Sequence, residues 1–369
     1  MPVAEFNVYL DNTAANEKQL DLFMEIKVDQ AMGMAAEAEL HMQISVDDSG
    51  NWLTVDEDFV QPFKRVRIET RIREGDFVPL IDGPIVGQQF ELSASPGASK
   101  MILVVQDDSV LLNQDEQVEL FEDQSPDEIA RALFQQYGLG VETDTVTSPA
   151  GGLARYTVQR GTAMQLLREL ARRHGMFVYV KPGTSPGSSI GVFKHPVLTG
   201  GDYPELLLMG ADRNINNFSA QFDGLRPMKA RADNVDITNL KLVSSESASS
   251  DIDSLGDVSV HDMVETGQVL LARTREESTD LDAATVAAVN HSSWAYSANA
   301  EVVADNYSAI LTPYNAITLA GAGGYLSGDW LISQVTHLIR DSGYKQQFTL
   351  RRNARSDSGD SGGLAGSVF

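Results

Sequence analysis

The sequence AEAELHMQISVD at residues 36–47 decides the fold class, because apolar and polar side chains alternate along its whole length. Successive side chains of a β-strand point to opposite faces, so this pattern predicts a strand with one buried and one solvated face. The side chains predicted to point inward are Ala36, Ala38, Leu40, Met42, Ile44 and Val46. Turn-forming residues follow at 47–50 (DDSG), as expected at the end of a strand.

Two flanking stretches alternate in the same way. In residues 20–29 and 65–73, the side chains predicted to point inward are Leu20, Leu22, Met24, Ile26 and Val28, and then Val66, Ile68, Thr70 and Ile72. Strands of this kind close most economically into a barrel or a sandwich, because closure removes the exposed sheet edges. Residues 1–113 are therefore predicted to form a first β-barrel.

The pattern changes after this first barrel. The sequence SPDE at 125–128 has the features of a helix start, and Thr162 with Gln165 repeats the capping pattern. A loop rich in Pro, Gly and Ser is predicted at 181–189, where we expect the chain to be exposed. Residues 114–204 are therefore predicted to be a small α+β domain.

Strand patterns return in residues 205–355, which are predicted to form a second β-barrel. This region departs from the strand pattern in three places, namely a predicted mobile loop at 243–256 and two helical patterns at about 260–277 and 281–298, within a helical insertion at about 258–298. A flexible Gly/Ser tail is predicted at 356–369. The predicted fold class is thus mainly β with an α+β insert, consisting of two β-barrels separated by a spacer domain.

The formal net charge of −24 restricts the partners of the chain. A phosphate backbone is repelled by such a surface, so no nucleic-acid partner is expected. The charge is uneven, since residues 1–60 contain thirteen Asp and Glu against two Lys. This asymmetry either keeps the protein soluble or places acidic and basic faces of neighbouring subunits against each other, and the sequence leaves both interpretations open.

Cysteine is absent, which excludes a disulfide framework, a thiolate metal site and a cysteine nucleophile. The start of the chain (MPVAEFNVYLDN) lacks the basic and apolar regions of a secretory signal, and no stretch approaches the roughly 20 apolar residues of a membrane helix. We therefore expect synthesis and assembly in the cytoplasm, without integration into a membrane.

A survey for chemistry identifies no site. The histidines do not have the spacing of a zinc motif; they are His41, His174, His195, His261, His291 and His337. We expect His337 to be a hydrogen-bonded sheet histidine, with a ligand or proton carrier as the alternative. Glycan hydrolysis needs two carboxylates, and the adjacent candidates are Asp107-Asp108, Asp56-Glu57-Asp58 and Glu276-Glu277. The side chains of Asp107 and Asp108 are expected to diverge, so the chain is predicted to be no enzyme and to hold no cofactor or metal.

Four segments resemble hub proteins of phage tails. Residues 77–87 (FVPLIDGPIVG) and 101–113 (MILVVQDDSVLLN) resemble a hairpin and a barrel-closing strand of the late control gene D family. Residues 158–180 (VQRGTAMQLLRELARRHGMFVYV) resemble a helix and strand of the VgrG-like hub-and-spike protein of type VI secretion, and residues 319–354 resemble the last hairpins of the family. The signature positions on these segments are Asp82, Gly83, Gly87, Asp107, Asp108, Leu167, Gly175, Gly328, His337 and Tyr344.

The resemblance implies a structural baseplate hub of a phage tail or contractile injection system. Members of the family form homotrimers in which two tube-like barrels per subunit give a ring with pseudo-six-fold symmetry, which adapts a three-fold spike to a six-fold inner tube. The implied partners are an inner tube protein, other baseplate proteins and a separate spike protein, since this sequence lacks the OB-fold and needle of the fused hub-and-spike proteins. The implied location is a phage-tail-like particle, and the resemblance leaves open whether this particle is released from the cell.

Three alternatives to the hub remain at this point. The first is a tail-associated cell-wall (peptidoglycan) hydrolase, which requires catalytic carboxylates. The second is a solitary protein that decorates a particle without forming a ring. The third is a transcription regulator, which the acidic charge and the lack of a helix-turn-helix pattern argue against.

Overall fold

The computed structural model of the protein describes residues 3–95, 97–146, 156–199, 203–235, 240–271 and 278–357. For residues 278–280 it describes the backbone only. It is mostly β, with few helices and one large, mainly antiparallel sheet, which confirms the predicted fold class at that level. Within the described ranges, no helix combines the length and the apolar composition needed to span a membrane.

The N-terminal strands are β1 (Ala4–Leu10), β2 (Thr13–Ala14), β3 (Phe23–Ala31), β4 (Glu37–Gln43), β5 (Arg65–Ile72), β6 (Val78–Glu91) and β7 (Lys100–Gln106), with the short helix α1 (Glu17–Leu20). Two 3-10 helices lie at Asp58–Val60 and Asp108–Asn113. The inward side chains predicted within β4 are confirmed, since Ala38, Leu40 and Met42 are fully buried, whereas Val46, predicted inward beyond the end of β4, is 46% exposed. The inward side chains of β5 are also correct from Val66 to Ile72.

The alternation predicted for β3 is wrong at its start. Phe23 is buried, whereas Met24 is 42% exposed. The register between β3 and β4 shifts between Phe23 and Glu25, which is a β-bulge. Because a bulge inserts one residue into the strand, it exchanges the faces of Phe23 and Met24.

The solvated face predicted for β5 is also wrong. Arg67 is 2% exposed, and its Nη1 donates to the carbonyl oxygen of Gly183 at 2.9 Å. The segment predicted as an exposed loop at 181–189 therefore lies partly against β5, and Gly183 itself is buried. Burial of Arg67 is tolerated because it is paired with acidic groups and hydrogen-bonded.

The middle region contains β8 (Gln117–Glu122), α2 (Pro126–Gln136), β9 (Gly140–Thr143), β10 (Tyr156–Gly161), α3 (Ala163–Arg173), β11 (Phe177–Pro182) and β12 (Ser189–Lys194). Both predicted helix starts are confirmed, because Ser125 and Thr162 each form a capping box. The apolar faces of α2 and α3 share one core cluster that includes Leu133, Leu167 and Phe193. This region has its own hydrophobic core and small sheets.

The C-terminal region contains β13 (Leu206–Leu207), β14 (Phe218–Phe222), β15 (Met228–Val235), β16 (Leu242–Ser247), β17 (Val258–Ser259), α4 (Val260–Met263), β18 (Gly267–Leu270), α5 (Ser278–Ser292), β19 (Tyr296–Val303), β20 (Ala316–Ala320), β21 (Gly328–Arg340), β22 (Gly343–Arg352) and β23 (Ala354–Arg355).

Two predictions for this region are wrong. Of the helix predicted at about 260–277, the described residues 260–271 contain only the single helical turn α4, followed by the strand β18, and residues 272–277 lie outside the described residues. The mobile loop predicted at 243–256 begins with the strand β16. Both strands pair with β15, one on each side, so strand pairing overrides the local pattern. The helix predicted at 281–298 corresponds to α5, although it ends earlier and gives way to β19. Most of the predicted tail, residues 358–369, lies outside the described residues.

The large sheet joins the two ends of the chain. Its strand order is β14-β19-β22-β21-β3-β4-β7-β6-β5-β1-β2, and β20 and β13 are attached beside β21. The junction is the antiparallel pairing of β3 with β21, which runs from Ala31 opposite Gln334 to Glu25 opposite Arg340. The N-terminal and C-terminal strands therefore share one hydrogen-bonded sheet, and the boundary predicted between two barrels is crossed by continuous backbone pairing.

Candidate functional site

Signature positions Asp82 and Asp108 lie in a buried charge network at the end of the N-terminal sheet. Arg65 donates to both carboxylate oxygens of Asp108, at 2.9 Å each, and also to Asp82 at 2.7 Å. Asp82 accepts two further hydrogen bonds, from Arg67 at 3.2 Å and from the backbone N–H of Gly187 at 2.9 Å. The network therefore ties β5 and β6 to the turn between β11 and β12 of the middle region.

The strand register brings these charges together. Arg65 and Arg67 are two residues apart on β5, so their side chains share one face, and Arg67 pairs directly with Asp82 of β6. Although burial alone would lower it, the carboxylates of Asp108 and Asp82 raise the pKa of Arg65. The guanidinium therefore stays charged, and the bidentate contact with Asp108 fixes its orientation.

Replacing Asp108 with Asn is expected to lower the free energy of unfolding by about 2 kcal/mol, because it leaves a partly buried guanidinium with one carboxylate fewer. Urea denaturation at neutral pH measures this change. The matched control is Asp58→Asn, which removes one of the two carboxylate partners of Lys64, in an exposed ion pair of 2.8 Å. Exposed pairs contribute less than about 1 kcal/mol, so equal losses for the two variants would contradict a structural role of the network.

Signature positions Gly83 and Asp107 meet beside this network. A Cβ atom at Gly83 would lie 1.8 Å from the carbonyl oxygen of Gln106 and 2.9 Å from the Cα of Asp107, so the two backbones touch. Asp107 accepts hydrogen bonds from the backbone N–H groups of Ala36 at 2.5 Å and Ser109 at 2.8 Å. Burial raises the pKa of Asp107 to about 6. The carboxylate thus ties the segment before β4 to the start of the 3-10 helix at 108–113, and its neighbour Asp108 points to a different partner.

Signature positions His337 and Tyr344 form a second buried cluster, at the junction of β3 and β21. The Tyr344 hydroxyl lies 2.7 Å from Nδ1 of His337, and Nε2 lies 3.2 Å from the side-chain oxygen of Gln30. The amide nitrogen of Gln30 donates to the carbonyl oxygen of Leu80 at 2.6 Å. With the proton on Nε2, each group in this series of hydrogen bonds has a consistent role as donor or acceptor. His337 is therefore a neutral, hydrogen-bonded sheet histidine, as predicted.

Complete burial lowers the pKa of His337 to about 3, from an ordinary value of 6.5. Between these two values the unfolded chain binds a proton that the folded chain does not, so stability falls as the pH falls from 6.5 towards 3. We expect His337→Gln to remove up to about 1.4 kcal/mol per pH unit from this slope, measured by urea denaturation at several pH values. The exposed His195→Gln is the control, and an unchanged slope in His337→Gln would contradict the neutral assignment.

The remaining signature positions lie apart from these two clusters. Gly328 has a positive φ of 115°, and a Cβ there would lie 2.7 Å from Nη2 of Arg352. Arg352 is buried and donates to carbonyl oxygens, including that of Leu255 at 2.6 Å. Leu167 lies in the core of the middle region, and Gly175 has φ of +64° at the end of α3. Gly87 lies near Gly83 on β6, against Val104.

Sequence reasoning missed the partners of the signature positions. Arg65 and Arg67 lie at the positions of 65–73 that the alternation predicts to be solvated, and Gln30 follows the alternating stretch at 20–29. Each of the three nevertheless supplies a hydrogen bond to a buried group. An arginine or glutamine on a β-strand of an acidic protein predicts a hydrogen-bonding partner. It does not predict where in the sequence that partner lies.

No catalytic arrangement is found among the described residues. Asp107 and Asp108 are both engaged in structural contacts, and Asp58 pairs with Lys64. Glu276-Glu277 lies outside the described residues. In the same ranges, no group of three or more His, Asp or Glu side chains is placed to hold a metal ion.

The sequence GTSPG at 183–187 matches the G-x-S-x-G pattern of serine hydrolases. It forms a turn between the two strands β11 and β12, whereas a nucleophile elbow joins a strand to a helix. The Ser185 hydroxyl lies 3.3 Å from that of Ser188. The turn is therefore structural. A second match, GDSGG at 359–363, lies outside the described residues.

One face of the large sheet is polar across the junction of its two halves. A single register row contains six polar side chains from β19, β22, β21, β3, β4 and β7, namely Glu301, Gln347, Thr336, Asp29, Glu37 and Gln106. We call this surface the polar sheet face. A shallow groove of about 410 Å³ lies on its C-terminal part, lined mainly by polar side chains. Ion pairs such as Lys345 with Glu301 at 2.6 Å organise the face without neutralising all of its acids.

Comparisons with known proteins bear on the fold. The model of the family described as Alg8 N-terminal domain matches residues 3–341. A search of curated proteins finds no match to this sequence.

Among solved structures, a 43 kDa tail protein of prophage MuSo2 from Shewanella oneidensis has a TM-score of 0.65 at 14% identity, covering 95% of this chain and 98% of that one. A tail protein from Neisseria meningitidis has a TM-score of 0.63 at 10% identity, covering 95% and 96%. An E. coli component of the type VI secretion system, described as similar to the T4 bacteriophage tail proteins gp27 and gp5, has a TM-score of 0.55 at 10% identity, covering 91% and 76%. The fold is thus that of phage tail proteins.

Proposed function

The chain belongs to the family of Alg8 N-terminal domains, and we propose that it is the structural baseplate hub of a phage tail or contractile injection system. In this proposal three copies form a ring in which residues 1–113 and 205–355 act as two tube-like barrels, with the α+β spacer 114–204 between them. The ring adapts the six-fold inner tube to the three-fold spike. The finer family assignment, to late control gene D and VgrG-like hubs, remains part of the proposal.

The observation that carries the proposal is the continuous sheet with its polar face. A hub that encircles an aqueous lumen needs a smooth solvated surface that continues from one barrel to the next. The polar sheet face has this property, because its row of six polar side chains passes from the C-terminal strand β21 to the N-terminal strand β3 without interruption. The fold shared with phage tail proteins supports the same assignment.

The buried clusters suit a part that transmits force as a rigid body. The network around Asp82 ties the N-terminal strands to the middle region. The series of hydrogen bonds from Tyr344 through His337 and Gln30 to Leu80 ties the C-terminal strands to the N-terminal ones. Charged and polar groups that are buried and paired with each other resist separation, since parting them would leave unpaired charges in the interior. Contraction of a tail would push the tube against one face of such a ring and carry the spike on the other.

The hub acts without a catalytic step, and its partners are other structural proteins: an inner tube protein, a spike protein and further baseplate proteins. We place its assembly in the cytoplasm, as part of a phage-tail-like particle. Asp82, Asp107 and Asp108 give the cell-wall hydrolase no support, because all three are engaged in structural contacts.

Light scattering on the purified chain, alone and with its spike protein, tests the proposal. A species near three times the subunit mass of 40.1 kDa is expected. A monomer under both conditions would contradict the ring and favour a decorating protein. Release of soluble fragments from purified peptidoglycan, lost on single carboxylate substitutions, would favour the hydrolase instead.

A further inference from the structure

The N-terminal and C-terminal halves of the large sheet repeat one strand order. In the first half the hydrogen-bonded order is β3-β4-β7-β6-β5, and in the second half it is β14-β19-β22-β21-β20. In each half three successive strands form two hairpins, β5-β6-β7 and β20-β21-β22, whose middle strand is long. Each of these strands therefore has an equivalent in the other half, with β3 equivalent to β14 and β6 equivalent to β21.

Backbone hydrogen bonds align the two long strands residue by residue. The N–H of Phe63 donates to the carbonyl oxygen of Ile85 at 2.8 Å, and the N–H of Tyr314 donates to that of Ile332 at 3.0 Å. Phe63 and Tyr314 both have a positive φ, of 64° and 68°. A bulge follows directly after Ile85 in β6 and after Ile332 in β21. Ile85 and Ile332 are thus equivalent positions.

The outer strands β3 and β14 are aligned through the rows of paired residues that cross the sheet. The row through Ile85 contains Val105, Ala38 and Val28, and the row through Ile332 contains Leu350, Ala298 and Ala220. Val28 of β3 is therefore equivalent to Ala220 of β14.

One junction between the halves is closed within the chain, and both edges of a second are open. At the closed junction, the last part of β21 pairs with β3, with His337 opposite Val28. The equivalent edges belong to β6 and β14. Among the residues that the structure describes, β14 pairs only with β19, and no strand pairs with β6 beyond Ile85 on the side away from β7.

The two open edges are suited to pairing with another strand. The sequence of β14 is FSAQF, and residues 86–90 of β6 are VGQQF, without the charged residues or proline that commonly protect a free edge. Phe90 lies opposite the buried Met101, and Phe222 lies opposite the buried Tyr296, so both point to the apolar side of the sheet. They are nevertheless 45% and 37% exposed, because no strand covers them.

Resting on the proposed ring, we propose that β14 of one copy pairs with the last part of β6 in the next copy, antiparallel and in the register of the β3–β21 junction. Phe90 is equivalent to His337, so it lies opposite Ala220. In this register Gln89 lies opposite Gln221, and both are on the polar sheet face. Each copy uses two different edges, so the contact runs head to tail and can close into a ring.

The backbone orientation at the open edge of β14 agrees with this register. The N–H of Asp223 donates towards β19, to the carbonyl oxygen of Ala295 at 3.0 Å. Because the direction of the N–H alternates along a strand, the N–H of Ala220 points away from β19, to the open edge. At the closed junction the N–H of Met32 donates across to β21 at 2.9 Å, and by the same alternation so does that of Val28. The two equivalent residues thus present the same groups.

Cysteine cross-linking tests the register, since the chain contains no cysteine. Opposite residues of a non-hydrogen-bonded pair have Cα atoms about 4.5 Å apart, which is within the range of a disulfide. The double variant Gln89→Cys/Gln221→Cys, oxidised with copper-phenanthroline, is therefore expected to give disulfide-linked trimers on a non-reducing gel. Each single variant should stay unlinked. Linked dimers of Gln221→Cys alone would show that two β14 strands pair with each other, and would overturn the proposal.

The matched control moves one cysteine to the neighbouring strand. Asn299 is exposed on the same face as Gln221, and it lies on β19, two strands from the β6 of the next copy. Neighbouring strands are about 4.8 Å apart, so a disulfide from Gln89→Cys to Asn299→Cys is out of reach. Equal cross-linking of this variant and of Gln89→Cys/Gln221→Cys would contradict the register.

A proline at Ala220 tests the same contact without cross-linking. Ala220→Pro removes an N–H that has no partner strand in the single copy and that bonds β6 of the next copy in the trimer. We expect it to weaken trimer formation about 10-fold or more, measured by light scattering over a concentration series. Ala220→Val is the control, because valine occupies the equivalent position 28, and it should keep the trimer. Circular dichroism checks that both variants fold.

The outcomes separate this contact from the hub proposal. A wild-type trimer that forms no disulfide between positions 89 and 221 would overturn the proposed register. If it also tolerates Ala220→Pro, the strand pairing itself is wrong, and the hub proposal still stands. A wild-type chain that is monomeric alone and with its spike protein would overturn both.

Discussion

Replacing Leu40 with Asp is expected to leave the chain unfolded or aggregated at neutral pH. Leu40 is fully buried in β4 and lies between Ile26 of β3 and Leu103 of β7 in the strand register. A buried carboxylate without a partner costs several kcal/mol, on the order of the whole stability of a folded domain. Circular dichroism and size-exclusion chromatography of the variant would show loss of β structure and of a defined size.

The control for Leu40→Asp introduces the same residue at the exposed end of the same strand. Gln43 is exposed, and Gln43→Asp loses only a hydrogen bond of 3.2 Å to the carbonyl oxygen of Gly97. This control should fold normally. A soluble, native-like Leu40→Asp protein would mean that the assignment of the inner and outer faces of β4 is reversed.

Period-two alternation was sufficient to predict which residues of β4 and β5 point inward, because each strand has one buried face of apolar residues. It failed at Phe23, where a bulge exchanges the two faces of β3, because nothing in the amino-acid composition of the strand marks the position of a bulge. It also failed at Arg67, because the segment that buries this side chain comes from residues 183–187, more than a hundred positions later. The alternation of apolar and polar residues reflects only the local conformation of the chain. Both errors depend instead on how the strand contacts other segments.

The junction of β3 with β21 could not be predicted for a related reason. His337 pairs with Val28 across that junction, and the two residues are about 300 positions apart in the chain. Many alternating strands in this sequence could pair equally well, since strand register is specified by a buried face and not by a unique partner. The sequence therefore predicted two β regions, whereas the sheet that unites them appeared only in three dimensions.

The signature positions were identified by resemblance, and their roles were not apparent in the sequence. Asp82, Gly83, Asp107 and Asp108 turn out to be neighbours because β6 and the end of β7 are adjacent. The arginines that bind the two carboxylates of Asp82 and Asp108 are on β5. The two segments at 77–87 and 101–113 thus contain residues that are neighbours in space. Only the strand pairing shows why a glycine and three aspartates occur together.

Gly83→Ala is expected to lower the free energy of unfolding by about 3 kcal/mol, although the change adds a single methyl group. The new Cβ would lie 1.8 Å from the carbonyl oxygen of Gln106 and 2.8 Å from its carbonyl carbon. These are backbone atoms, so relief requires β6 to move away from the end of β7. That movement would disturb the hydrogen bonds of the adjacent Asp82 with Arg65 and Arg67. Urea denaturation measures the loss.

Gly87→Ala on the same strand is the matched control. A Cβ at Gly87 would lie 3.5 Å from the Cβ of Val104, an ordinary van der Waals contact, and its φ is not in the positive region. Since alanine also restricts the unfolded chain, the control should change stability by less than about 1 kcal/mol in either direction. Equal effects of the two substitutions would show that the backbones of β6 and residues 106–107 do not touch, and the charge network would then lack the close approach that positions Asp82.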